Sequence, residues 1–446
     1  MNLLIRNGRL VDPSQSIDGA HDILIIDGKV EKIGKALRAP GSVAVLEARG
    51  LVVAPGFIDL HTHLREPGQE HKETIRSGTA AAVAGGFTAI CAMANTVPPN
   101  DERAVTEMIV AEASRNGACR VYPIGAVSRG LKGEELAELA DLHGAGCVGF
   151  SDDGVPIANS MLMRRALEYA KMLGLPVIVH EEDPYLAEGG VMHEGFFSTL
   201  LGMTGIPAAA EETMAMRDVQ LAELTGGHLH VAHISTRGAV DAVRGAKKRN
   251  VHVTCEAAPH HFSLTDEAVR SFSTNVKMKP PLRSRDHLEA VLAAIADGTV
   301  DVIATDHAPH HPDEKDVEFD LAPFGIIGLE TAFLLACDRL LQSGTIDLVR
   351  LVELMSCNPA RIFSLPGGTL KEGSPGDVTI VDPNGTTTVT SFRSKSSNSP
   401  FRGEMLRGRV HATIVGGILR YKDAIDVGDS VQSPAAKARP VRGKKK

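Results

Sequence analysis

The sequence predicts an α/β fold: a closed (β/α)8 barrel of the TIM type carrying a small β-sandwich domain built from both chain ends. Three observations predict it. Eight short apolar runs alternate with longer Ala-rich stretches of helical period between residues 52 and 365. Alternating apolar and polar residues with glycine turns occupy residues 1–51, and the same pattern returns over 366–422. A series of eight strands, most of them followed by a helix, closes into a barrel more readily than it spreads into an open sheet.

Taken in order, "NLLIRNGRLVD" and "DILIIDGKVEKIG" read as strands, and their Asn-Gly and Asp-Gly pairs read as hairpin turns. The chain changes character at "LVVAPGFIDLHTHL". The barrel strands are then "GFIDLHTH", "FTAICAMANT", "RVYPIGAVS", "CVGFSDDG", "LPVIVHEED", "LHVAHIS", "VHVTCEAAPHH" and "VDVIATDHAPH". Helices are expected over 73–85, 101–116, 159–173, 208–225, 237–248 and 286–297. "GTLKEGSPGDVTIVD" and "GEMLRGRVHATIVGGILRY" supply the returning strands, which are expected to join those of the N-terminus because chain ends often lie close in space. The stretch "PAAKARPVRGKKK" is basic, and residues 423–446 are expected to form a solvated, disordered tail.

Composition narrows the function. At 446 residues, a length prior suggests about three domains, yet α/β barrels often exceed 200 residues as one unit. Hydrophobic residues at 43% supply a core, whereas aromatics at 4%, the absence of Trp and a net charge of −8 argue against nucleic-acid binding. The six cysteines form no CxxC pair, so they read as reduced thiols, and a cytoplasmic location is expected. No segment approaches the roughly 18 continuous apolar residues of a membrane span.

Barrel enzymes place their chemistry at the C-terminal ends of the strands. The residues closing the runs are His61 and His63, Asn95, Asp152 and Asp153, His180, His233, and Asp306. Residues i and i+2 of a strand face the same side, so His61 and His63 present two imidazoles together, which suits zinc or a similar ion. An isolated HxH is more often a packing or surface pair. Here the ligand-type residues recur at three other strand ends, which changes the balance. His228 and His230 read as barrel-edge or packing residues, and His260 and His261 read equally well as hydrogen-bond partners of ligands or as structural residues. His307 should point away from Asp306.

These residues resemble a known family. "DLHTHLREPG" at 59–68, "FSDDG" at 150–154, "VIVHEED" at 177–183, "HVAHIST" at 230–236 and "ATDHAPH" at 304–310 are similar to the bacterial dihydroorotases of the amidohydrolase superfamily. So are "GIPAAAEETMAMRDVQLAELTG" at 205–226 and "PFGIIGLET" at 323–331, and the likeness extends to about residue 422. The resemblance implies one zinc bound by His61, His63 and Asp306, a second bound by His180 and His233, and Asp153 bridging both. Strand four offers no lysine, the usual bridge of the wider superfamily, so a short carboxylate must serve. With this ligand set one or two zinc ions are expected, two being favoured. It further implies that Arg65 and Asn95 hold the substrate α-carboxylate beside His63, with His310 assisting, and that backbone groups of Phe324 and Gly325 hold the ring. The planar fork of Arg suits a carboxylate; a rim ion pair with Glu66 is the plainer alternative. Lys279 stands in "KMKPPLR" where the family usually shows Asn, which alters a ring contact only if the side chain is used.

The implied reaction is the reversible cyclisation of N-carbamoyl-L-aspartate to (S)-dihydroorotate in pyrimidine biosynthesis, by metal-activated hydroxide with Asp306 as general acid and base. A homodimer and a complex with aspartate transcarbamoylase are the partners it suggests. The rival readings are another cyclic amidase, such as a hydantoinase or allantoinase, and a non-catalytic scaffold for aspartate transcarbamoylase. The long polar segment 308–325, which follows Asp306, has the character of a lid.

Overall fold

The computed structural model describes residues 2–38, 41 and 43–423; the basic stretch 434–446 lies outside the described residues. Strands from both ends of the chain meet in one mixed sheet of eight. They are Leu3–Asp12, Ile17–Ile26, Lys29–Gly34, Ala44–Glu47, Val52–Pro55, Val378–Thr388, Met405–Val415 and Ile418–Lys422. A single apolar core unites the two ends, with Leu3, Ile5, Ile23 and Val53 packed among Ile380 and Ile414. Asp27-Gly28 makes the expected hairpin turn, with φ of 48° and 79°. Asn7-Gly8 does not. It is a bulge inside Leu3–Asp12, where the register slips between Ile5 and Gly8. A Cβ on Gly8 would lie 2.4 Å from Val53 Cγ2, so the glycine permits close approach of a neighbouring strand instead of a reversal. The sheet also reaches past the composition boundary at residue 51, because Val52–Val53 pairs with Arg9–Leu10 and Val52–Pro55 with Val378–Val381.

From Gly56 the chain enters the barrel. Its strands are Phe57–Thr62, Phe87–Ala92, Arg120–Pro123, Pro176–Val179, His228–Val231, Val253–Ala257 and Val302–Ile303, all paired in parallel with their neighbours. The fourth run forms no continuous strand. Phe150 alone bridges Gly125 on one side and Val177 on the other. Glycine and turn residues crowd "CVGFSDDG", which limits the ladder to one residue. A bridge between Thr62 and His307 closes the cylinder, reinforced by His63 N donating to His307 O at 2.9 Å.

The six expected helices appear as Ile75–Ala84, Arg103–Asn116, Ser160–Leu173, Ala208–Thr225, Arg237–Lys248 and Arg285–Asp297. Thr74, Asn159 and Thr236 cap three of them at the N-terminus. Strand residues alternate between two apolar layers. Ile90, Val177, Leu229 and Val253 pack outward among helix residues such as Ala81, Ile109, Ala166 and Val243. Ala89, Cys91, Ile178 and Val302 pack with Ala360, Ile362, Phe363 and Leu365, which follow the eighth strand. Among the described residues no helix is long and apolar enough to cross a membrane.

Candidate metal centre

Each proposed ligand lies at the last residues of a strand or just beyond it, except Asp153, which follows the lone bridge residue Phe150. His61 and His63 face the same side, as their spacing requires, with ring centroids 5.4 Å apart. His180 follows the fifth strand and His233 the sixth, and their rings lie 4.7 Å apart. Between the two pairs stands Asp153. Its Oδ2 is 3.3 Å from His61 Nε2 and 3.4 Å from His63 Nε2. Its Oδ1 is 3.4 Å from His233 Nε2 and 3.7 Å from His180 Nδ1. One carboxylate oxygen thus faces each histidine pair. Asp306 closes the first half, with Oδ1 3.2 Å from His63 Nε2 and 3.5 Å from His61 Nε2.

Three overlapping groups have ligand atoms close enough to share an ion: His61, His63 and Asp153; His61, His233 and Asp306; and Asp153, His180 and His233. The donor set fits a metal. His61 Nε2 and Asp153 Oδ1 are buried without a hydrogen-bond partner among the described residues, and unpaired polar atoms at such a depth are costly unless something else satisfies them. Mixed imidazole and carboxylate donors suit zinc-like ions. Electrostatics agree. Burial opposes charge on His61, but Asp153, Asp306 and Glu256 overcome it and hold the imidazole well above its usual range. Burial likewise opposes ionisation of Asp306, yet His61 and His63 hold its carboxyl below the usual carboxylate range.

The backbone is strained at this rim. Arg65, His233 and Asp306 have φ of 63°, 30° and 47°, a region that costs a non-glycine residue on the order of 1–3 kcal/mol. Buried carboxylates hold these turns. Asp59 accepts from the backbone N–H groups of His61 and Thr305, both at 3.1 Å. Glu211 accepts from the N–H groups of Ser235 and Thr236, both at 2.9 Å, just past His233.

The substrate-side residues fall into place differently. The Arg65 guanidinium is buried, its Nε donates to Pro309 O at 3.2 Å, and it makes no ion pair among the described residues. Burial lowers it to about 10, so it stays charged at neutral pH. Glu66, the alternative partner, instead accepts from Ile75 N at 2.7 Å. Asn95 Oδ1 accepts from His63 Nδ1 at 2.8 Å, so it orients a ring in the cluster. His310 Nε2 donates to Phe324 O at 2.8 Å, and Gly325 N donates to Lys277 O at 2.9 Å. Phe324 O and Gly325 N are therefore already engaged, one inside the loop and one by the Lys277 carbonyl. Lys279 Nζ pairs with Glu182 Oε1 at 2.7 Å.

Asp152 separates from Asp153: it accepts from Val127 N at 2.8 Å and Ser128 N at 2.9 Å and braces the loop beside strand four. His307 does point away, toward Glu73 at 3.3 Å. His230 departs from the packing expectation. It joins His61 on Glu256, with contacts of 3.1 Å and 2.7 Å. Glu256 does not close its strand and so escapes a search of strand ends, although a lone carboxylate inside the apolar run "VTCEA" is a signal, since a buried charge requires partners.

A (β/α)8 barrel with two histidine pairs sharing one carboxylate at its C-terminal rim defines a metal-binding amidohydrolase. The model of the Dihydro-orotase-like family matches residues 50–239. The chain is 54% identical to a dihydroorotase of Geobacter metallireducens over 95% of its own length and 100% of that protein's. It is 53% identical to one of Anaeromyxobacter dehalogenans over 95% and 99%. Among solved structures it is similar to an L-hydantoinase of Arthrobacter aurescens (TM-score 0.83, 25% identity, 94% of this chain and 95% of that one). A D-hydantoinase of Thermus sp. gives a TM-score of 0.81 at 27% identity, covering 96% and 97%. The chain belongs to the dihydroorotase family and is a cyclic-amide hydrolase.

Proposed function

We propose that the chain catalyses the reversible cyclisation of N-carbamoyl-L-aspartate to (S)-dihydroorotate, with two zinc ions held by His61, His63 and Asp306 on one side and His180 and His233 on the other, Asp153 lying between. The observation that carries this reading is Arg65. A buried guanidinium without a carboxylate partner is expensive unless an anion completes it, and the substrate supplies a carboxylate that a neutral hydantoin ring lacks. Bound metal supplies an activated water, its pKa lowered from about 15.7 toward about 7, and polarises the amide carbonyl. A carboxylate beside a bound cation stays ionised at neutral pH, so Asp306 would be ready as a base. It accepts the proton of the attacking water and delivers it to the leaving ring nitrogen; in the cyclising direction it runs the transfer backward. Arg65 fixes the α-carboxylate with two parallel hydrogen bonds and so aims the carbonyl at the cluster. Asn95 keeps His63 in the tautomer that presents Nε2 to the centre.

A cytoplasmic homodimer, able to associate with aspartate transcarbamoylase, is the assembly consistent with the family. The test is a cyclisation assay on metal-analysed protein, run beside hydantoin and allantoin hydrolysis. Turnover of carbamoyl aspartate with little on the other two is expected. Hydantoin turnover in its place would overturn the reading.

A further inference from the structure

His180 differs from the two histidines of the first strand. It turns Nδ1 toward Asp153 and His233, the latter at 3.0 Å, which leaves Nε2 facing outward. That nitrogen is buried and has no hydrogen-bond partner among the described residues. Glu182 Oε2 lies 3.9 Å from it. Glu182 is itself buried, and its other oxygen, Oε1, holds Lys279 Nζ at 2.7 Å. Lys279 is part-buried and also stands 5.4 Å from the centroid of the Phe324 ring. An ammonium neutralised at this distance offers no free charge to a substrate carboxylate. Its geometry suits a different task, which is to fix the carboxylate that faces His180.

We propose that Lys279 and Glu182 are positioning residues for the second metal: Lys279 holds Glu182 in place, and Glu182 receives the Nε2–H that His180 must carry once Nδ1 is a ligand. Histidine ligands commonly donate their second N–H to a carboxylate, which sets tautomer and ring angle. A rotation of either side chain closes the remaining gap. The inference rests on the two-zinc reading above, and it reassigns Lys279 from substrate contact to metal support.

The experiment uses the full chain loaded with zinc and dialysed against graded EDTA, with zinc per subunit measured by mass spectrometry. In Lys279→Met and Glu182→Gln the second equivalent should leave at about 10- to 100-fold lower chelator than in the parent. The first equivalent should stay, which also reports an intact barrel. Lys279→Arg preserves the ion pair and should restore the parent curve. Variant curves identical to the parent, or a Lys279→Arg curve as weak as that of Lys279→Met, would overturn the inference while leaving two zinc ions in place. So would a rise in KM for carbamoyl aspartate in Lys279→Met with unchanged zinc retention. A parent that never holds more than one equivalent would overturn the two-zinc reading itself.

Discussion

The two halves of the centre share Asp153 but are built to different standards. On the His61 and His63 side, each outward ring nitrogen has a close partner: Glu256 at 2.7 Å for His61 and Asn95 at 2.8 Å for His63. On the other side, His180 Nε2 and His233 Nδ1 are both buried without a hydrogen-bond partner among the described residues. A ring held at its far nitrogen has its tautomer and angle chosen before an ion arrives. A ring without that hold must be ordered by the ion itself, which subtracts from affinity. The two sites should therefore not bind alike: the first is prepared, and the second depends on Asp153 and on the longer contact through Glu182.

The largest effect belongs to the prepared half. Asp306→Asn removes the base while keeping the shape, so turnover should fall by about 10²- to 10⁴-fold, with zinc content measured on the same sample. Near-normal turnover with zinc retained would remove Asp306 from that role. Glu256→Gln takes the charge from beneath His61 and should weaken the first zinc by about 10- to 100-fold in chelator competition, making the halves alike. If the second equivalent is lost first and to the same degree as in the parent, the buttress does not set the difference. Arg65→Ala should raise KM for carbamoyl aspartate by about 10- to 100-fold, the worth of a charge-assisted hydrogen bond of about 1.5–3 kcal/mol, with zinc content unchanged. An unaltered KM would contradict carboxylate capture.

Much of this was legible in the chain itself, for identifiable reasons. Helical period and strand-end residues are local properties, so the six helices and the strand-end positions of His61, His63, Asp152, Asp153, His180, His233 and Asp306 could be read directly, whereas the preference for Asp153 over Asp152 came from the family resemblance. Partners distant in sequence could not. Glu256 reaches His61 across 195 positions, and nothing near either residue announces the pair. Asn95 was visible as a strand-end residue, but its contact to His63 gives it an orienting task that position alone does not reveal. The Asn7-Gly8 bulge failed as a turn for the same reason: only the approach of Val53 explains it. Lys279 stood out as a departure from a familiar motif, yet its meaning depended on Glu182, ninety-odd positions earlier in the chain and adjacent only in the fold.

The smallest effect sharpens the comparison through pH. Ligand imidazoles must be neutral to bind, so acid should release zinc, and the less supported second equivalent should leave at the higher pH. That ordering can be read only where the barrel itself holds. His228 sets one limit. Burial first, then the neighbouring His252 and His230 rings, lower it to about 3, while in the unfolded chain it titrates near its ordinary value of about 6.5. The unfolded state therefore binds the extra proton between these values, and stability falls as pH drops through that window by about 1.4 kcal/mol per unit for this one group. Above about 6.5 the contribution is fully present. Zinc per subunit followed downward from pH 8 should thus show the second equivalent leaving while circular dichroism still reports a folded chain. Simultaneous loss of both equivalents from a chain that circular dichroism still shows folded would mean that the two halves, despite their unequal supports, hold metal equally.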